Sequence, residues 1–221
     1  MSSRFAYETV MFDVDGTLIE SNAAHAEAWT RALIESGVPA SITQIRPLIG
    51  MGGDKLLPLV AGVDEGSTDG KAVTARKKEL FASLLPRLRP TPGARALLEF
   101  LKGQGLALII ATSAGDREMQ ALLEQAGVED LFDLRTSKDD GGHSKPDPDI
   151  VHAALTRARA RPESTVLIGD TPYDIEAAGR AGMAAIALRC GGHWQDRDLA
   201  DAILIFDDPA DLLRHWRVDS P

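Results

Sequence analysis

At 221 residues, the chain has room for one domain with a large insertion or for two small ones, since domains typically run to roughly 100–200 residues. Its formal net charge of -9 repels a phosphate backbone and excludes general nucleic-acid binding, and 44% hydrophobic with 26% charged residues excludes a disordered chain. A single cysteine, Cys190, excludes an intramolecular disulfide. No stretch approaches the roughly 20 apolar residues of a membrane helix, and Met1 to Glu8 lacks the apolar run of a secretory leader. A cytoplasmic enzyme with no membrane partner is expected.

In chain order, Thr9–Phe12 is the first apolar run, short and continuous as in a strand buried on both faces. No strand pattern follows for a long stretch. Glu20–Ser36, Thr43–Ile49, Asp54–Val60 and Ala72–Leu85 read as helices, separated by Gly37, Pro39, the Gly50–Gly53 region and Asp64–Gly70. Residues 19–88 are therefore expected to form an inserted helical domain, with Arg89-Pro-Thr-Pro-Gly93 as the return. Helix and strand then alternate: helix Ala94–Gln104, strand Leu106–Ala111, helix Arg117–Ala126 stopped by Gly127, helix Asp149–Arg159, strand Thr165–Ile168, helix Asp174–Ala181, and strands Ala184–Leu188 and Ala202–Phe206. Such alternation predicts an α/β fold around a parallel sheet, formed by residues 1–18 and 89–221.

Phe12-Asp-Val-Asp-Gly-Thr-Leu18 carries the sharpest chemical signal. Asp13 and Asp15 end a buried strand, and residues two apart in extended chain share a face. Two carboxylates that close are costly without a cation between them, which points to a Mg²⁺ site at the carboxyl end of a strand; an acidic turn that merely closes the strand is the plain alternative. Gly169-Asp-Thr-Pro-Tyr-Asp174 repeats the pattern. Asp170 adds a carboxylate there, and Asp174 is either a further metal support or a helix N-cap. Thr112 and Ser113 end the Leu106–Ala111 strand, where hydroxyls either donate to a phosphate or cap a helix. Lys145, in Ser144-Lys-Pro-Asp-Pro148, either neutralises a phosphate beside Asp13 or is solvated.

The order of these pieces resembles the haloacid dehalogenase-like hydrolase superfamily. Asp13 and Asp15 match its first motif, Thr112 its second, Lys145 its third, and Asp170 with Asp174 its fourth. The likeness spans nearly the whole chain and is greatest to the branch of phosphoglycolate phosphatase-like and β-phosphoglucomutase-like enzymes. It implies a Rossmann-like, doubly wound parallel-sheet core with an α-helical cap, and an enzyme acting on a small phosphorylated metabolite. It further implies that Asp13 is the nucleophile and is phosphorylated, and that Asp15 is the acid and base. Mg²⁺ would be held by Asp13, the backbone carbonyl of Asp15, Asp170 and Asp174, with Thr112, Ser113 and Lys145 on the phosphate.

Several features stay open at this level. His25 and Trp29 lie one helical turn apart and either line a cleft or pack in the core. Gly50–Gly53 is either a substrate loop or a simple turn. Cys190-Gly-Gly-His193 has too few ligands for zinc and reads as a loop. A phosphomutase and a phospho-accepting receiver domain are the rival functions. Gly115-Asp116 stands where the mutase-like branch often carries a Lys-Asn pair, which weighs against the mutase, and the helical insertion weighs against the receiver. No protein partner is expected.

Overall fold

The computed structural model describes residues 5–219. Six parallel strands form one sheet in the order β3-β2-β1-β4-β5-β6, where β1 is Thr9–Phe12, β2 Ala107–Ala111, β3 Leu134–Thr136, β4 Thr165–Gly169, β5 Ala184–Leu188 and β6 Leu204–Phe206. Every residue of β1 and β4 is buried, as strands covered on both faces must be. Alternate residues serve opposite faces. Val10, Phe12, Leu108, Ile110, Val166 and Ile168 join one apolar cluster, while Met11, Ile109 and Leu167 join the other.

The central position of β1 decides where the chemistry falls. Phe12 lies opposite both Ile110 of β2 and Ile168 of β4. The next residue, Asp13, donates its backbone N–H to Ile168 O at 2.9 Å. The ends of β1, β2 and β4 are thus level, and the residues that follow them share one edge of the sheet. Strand order reverses direction around β1, the switch point at which open α/β sheets leave a crevice.

Between β1 and β2 the chain forms helices α1 (Asn22–Glu35), α2 (Ile42–Ile45), α3 (Gly53–Ala61), α4 (Thr68–Leu84) and, on its return, α5 (Ala94–Gly103). α1 packs along α4. The outgoing and returning segments run side by side: Glu20 donates to Arg89 O at 2.9 Å and Thr91 to Leu18 O at 3.0 Å. The helix expected over Thr43–Ile49 is shorter than its pattern, because Pro47 lacks a donor and the chain tightens into a 3₁₀ turn over Arg46–Leu48. α4 starts before Ala72 because the Ser67 hydroxyl accepts from Gly70 N–H at 3.0 Å and caps it.

The remaining helices are α6 (Asp116–Ala126), α7 (Asp149–Ala158), α8 (Pro172–Arg180) and α9 (Pro209–Asp219). α9 packs on α5, and Trp216 stacks on Phe5 with ring centres 4.3 Å apart. The strand β3, Leu-Arg-Thr, has no apolar run to announce it. β6 is shorter than the expected Ala202–Phe206 because Ala202 turns back to Leu199 O. Among the described residues, no helix is long and apolar enough to cross a membrane.

Candidate active site

Asp13 follows β1, Asp170 follows β4, and Asp174 sits in the first turn of α8. Oxygen atoms of the three carboxylates lie within 4.8 Å of one another, and all three residues are buried. Lys145, with 1% of its surface exposed, places Nζ 2.7 Å from Asp13 Oδ1 and 2.7 Å from Asp174 Oδ1. The loop lysine is thus an internal counter-ion. Asp174 also closes the start of its own helix. Thr171 caps α8, donating its N–H and hydroxyl to Asp174 Oδ2 at 3.1 and 2.6 Å. The cap and the carboxylate cluster are served by different oxygens of one side chain.

Asp170 receives a hydrogen bond from Asn22 Nδ2 at 2.7 Å, and the Thr17 hydroxyl lies 3.4 Å from Asp13 Oδ2 and 3.3 Å from Asp170 Oδ1. Three carboxylates against one lysine leave an excess of buried negative charge. Burial, opposed by Lys145 but aided by Asp174 and Asp15, pushes the Asp13 carboxyl up to about 7. Burial and the neighbouring Asp13 and Asp174 push Asp170 well above the carboxylate range. Despite its burial, Lys145 is held above its ordinary range by Asp13 and Asp174. An all-oxygen, over-charged buried donor set fits a hard divalent cation such as Mg²⁺.

Asp15 behaves differently. Its carboxylate turns away from the trio toward α1, accepting from the Ser21 hydroxyl and lying 2.7 Å from His25 Nε2. Burial works against its charge, but His25, Ser21 and Lys77 outweigh it and hold the carboxyl below its usual value. Gly16, the residue after Asp15, has φ +74°, and a Cβ there would sit 2.3 Å from Asp170 Oδ2. Only glycine makes this turn at such close approach.

A small cleft of about 60 Å³ lies over Asp13 and Asp15, bounded by Thr112, Ser113, Trp29 and the Gly50–Gly53 loop. The Thr112 hydroxyl accepts from Ala114 N–H at 3.1 Å, shaping the turn after β2. The Ser113 hydroxyl is buried without a hydrogen-bond partner among the described residues. The glycine loop meets the core directly: Gly52 N–H donates to the Ser144 hydroxyl at 3.0 Å, and Ser144 N–H donates to Asp54 Oδ2 at 3.2 Å. Ser144 precedes Lys145, so the helical insertion touches the loop that places the lysine.

His25 and Trp29 both line the cleft, and His25 stacks on Phe81 with ring centres 3.9 Å apart. Ser21, Asn22, Lys77 and Glu118 also belong here, although no sequence motif singles them out. Asn22, His25 and Trp29 are spaced by three and four, the interval that puts them on one helix face; that was the available signal. Cys190 and His193 form no metal cluster among the described residues. The Cys190 thiol lies 3.1 Å from Gly16 O, and burial raises its pKa.

A family model for haloacid dehalogenase-like hydrolases matches residues 7–182, and the chain belongs to that family. Within it, the chain is similar to enzymes of the phosphoglycolate phosphatase and β-phosphoglucomutase branch. It is 32% identical to a phosphorylated carbohydrates phosphatase of Thermotoga maritima, over 81% of this chain and 83% of that one. It is 31% identical to a phosphoglycolate phosphatase of Pseudomonas putida, over 92% of this chain and 78% of that one. The solved structure of a putative β-phosphoglucomutase from Bacteroides vulgatus superposes with a TM-score of 0.85 at 25% identity, covering 97% of this chain and 89% of that one.

Proposed function

We propose that the chain is a Mg²⁺-dependent phosphatase that releases inorganic phosphate from a small phosphorylated metabolite by way of an aspartyl-phosphate at Asp13. The observation that carries this reading is the buried trio of Asp13, Asp170 and Asp174 with Lys145 bridging two of its members. Its relatives named as phosphatases of phosphorylated carbohydrates and of phosphoglycolate support the substrate class.

In this reading, a carboxylate oxygen of Asp13 attacks phosphorus and the bond to the leaving oxygen breaks. Asp15 lies at the cleft, off the trio; the negative charge of the entering phosphate raises its carboxyl, so that it takes up a proton there and gives it to that oxygen. A water then attacks phosphorus as Asp15 takes the water's proton; the bond between phosphorus and Asp13 breaks, freeing phosphate and restoring the carboxylate. His25 and Ser21 orient Asp15 for both steps. Thr112, Ser113 and Lys145 hold the phosphate oxygens, and the orphaned Ser113 hydroxyl is a donor in need of one. Asp13, Asp170, Asp174 and the Asp15 carbonyl would hold Mg²⁺, which, when bound, offsets the carboxylates' repulsion and keeps Asp13 ionised. Residues 19–88 act as a cap that excludes water from the phosphoryl group.

The test is phosphate release from a panel of phosphomonoesters with Mg²⁺, with chelator, and with Asp13→Asn. Release that requires both the cation and Asp13 is expected. Isomerised product with little free phosphate would indicate a phosphomutase instead, and a label that persists on the protein for minutes without turnover would indicate a receiver.

A further inference from the structure

The cleft over Asp13 contains an ion pair that neither attacks phosphorus nor moves a proton in the steps above. Lys77 of α4 and Glu118 of α6 meet across it, with Nζ 3.0 Å from Oε2 and 3.1 Å from Oε1. Their side chains are only 7% and 15% exposed, and both line the cleft together with Asp13 and Asp15. Lys77 Nζ also lies 5.7 Å from the ring centre of Trp29 and 4.8 Å from that of Phe81, within cation–π range. Lys77 is the only lysine or arginine among the described residues that line this cleft, and Glu118 already neutralises it.

We propose that the Lys77–Glu118 pair sets specificity, selecting phosphomonoesters whose leaving group is an uncharged, hydroxyl-bearing carbon skeleton, as in a short polyol or sugar phosphate. This rests on the phosphatase reading above. A leaving group with its own carboxylate or second phosphate finds no unpaired cation here, and it meets the like charge of Glu118 at low dielectric. A neutral polyol meets a matched set. The ammonium keeps a third donor beyond the two carboxylate oxygens, and the carboxylate keeps acceptor sites that Lys77 does not fill. Trp29, on the same cleft, offers an apolar face to the carbon chain. Specificity follows from the groups left unpaired by the wrong substrate as much as from those paired by the right one. The arrangement also opposes a phosphomutase, whose doubly phosphorylated species needs a second anion site.

The experiment compares kcat/KM in Mg²⁺ for glycerol phosphate, phosphoglycolate and an aryl phosphate, in the wild type, Glu118→Gln and Lys77→Met. The wild type is expected to favour glycerol phosphate over phosphoglycolate by about tenfold or more, the scale of one unscreened like charge nearby. Glu118→Gln should lower that ratio by about tenfold, because Lys77 becomes free for the glycolate carboxylate. Lys77→Met should raise it, because Glu118 is left uncompensated. A pair that only ties α4 to α6 would change overall activity without moving the ratio in opposite directions. The proposal is overturned if the wild type prefers phosphoglycolate, or if the two variants leave the ratio unmoved or shift it the same way. If none of the three esters, the aryl phosphate included, releases phosphate, the phosphatase reading itself falls and takes this assignment with it.

Discussion

Replacing Asp13 by asparagine should raise the stability of the metal-free protein while it removes turnover. Asp13 is buried against one cation, Lys145, which it shares with Asp174. Burial carries its carboxyl from the ordinary 3.8 to about 7, against the pull of Lys145. A folded pKa above the unfolded one stabilises the protein fully below about pH 4, and that contribution is lost as pH rises through about 7. A displacement of about 3 units corresponds to roughly 4 kcal/mol of cost at pH 8, at about 1.4 kcal/mol per unit. The amide of Asp13→Asn carries no charge to bury, and its oxygen still accepts from Lys145. For a domain of this size, roughly 2–4 °C per kcal/mol gives a melting temperature higher by roughly 8–16 °C at pH 8. At pH 4 the two proteins should converge. Calorimetry in chelator at both pH values, beside phosphate release, checks this. A variant that melts below the wild type at pH 8 would refute the reasoning, since Asp13 would then stabilise the fold without any metal.

Three further outcomes are expected. Mg²⁺ should raise the melting temperature more at pH 8 than at pH 5, because Asp13 and Asp170, both shifted upward by burial, bind protons at the lower pH and compete with the cation; thermal melts across a magnesium titration would show it. His25→Phe keeps the stack on Phe81 but removes the contact with Asp15, so the Asp15 carboxyl rises and the acidic limb of the kcat profile should move to higher pH, with kcat down by roughly tenfold. Gly16→Ala forces a side chain to φ +74° and into Asp170; about 1–2 kcal/mol of left-handed strain plus the clash should lower the melting temperature by several degrees and weaken magnesium stabilisation.

The parts of this molecule legible in the sequence are those whose physics is local. Val10–Phe12 and Ala184–Leu188 are apolar because the sheet is covered on both faces, and the runs Thr9–Phe12 and Ala184–Leu188 match the limits of β1 and β5. β3 was illegible because an edge position lets Leu-Arg-Thr pair with β2 without an apolar run. Asp13, Asp15 and Asp170 were legible because each sits beside a strand end. The partnership of Lys145 with Asp13 spans 132 residues of sequence, and only the tertiary fold brings it about; no local rule separates that lysine from a solvated one. His25 shows the opposite failure. Its spacing from Asn22 and Trp29 marks a common face, but nothing in the spacing says that the face meets Asp15 rather than a core.

The nucleophilic role of Asp13 is tested most directly by trapping. Enzyme mixed with Mg²⁺ and an aryl phosphate is quenched within a turnover, reduced with borohydride, digested and sequenced by mass spectrometry. An acyl phosphate at Asp13 converts that residue, and no other, to homoserine. Continued turnover with Asp13 unmodified, or reduction confined to Asp15 or Asp170, would contradict the reading.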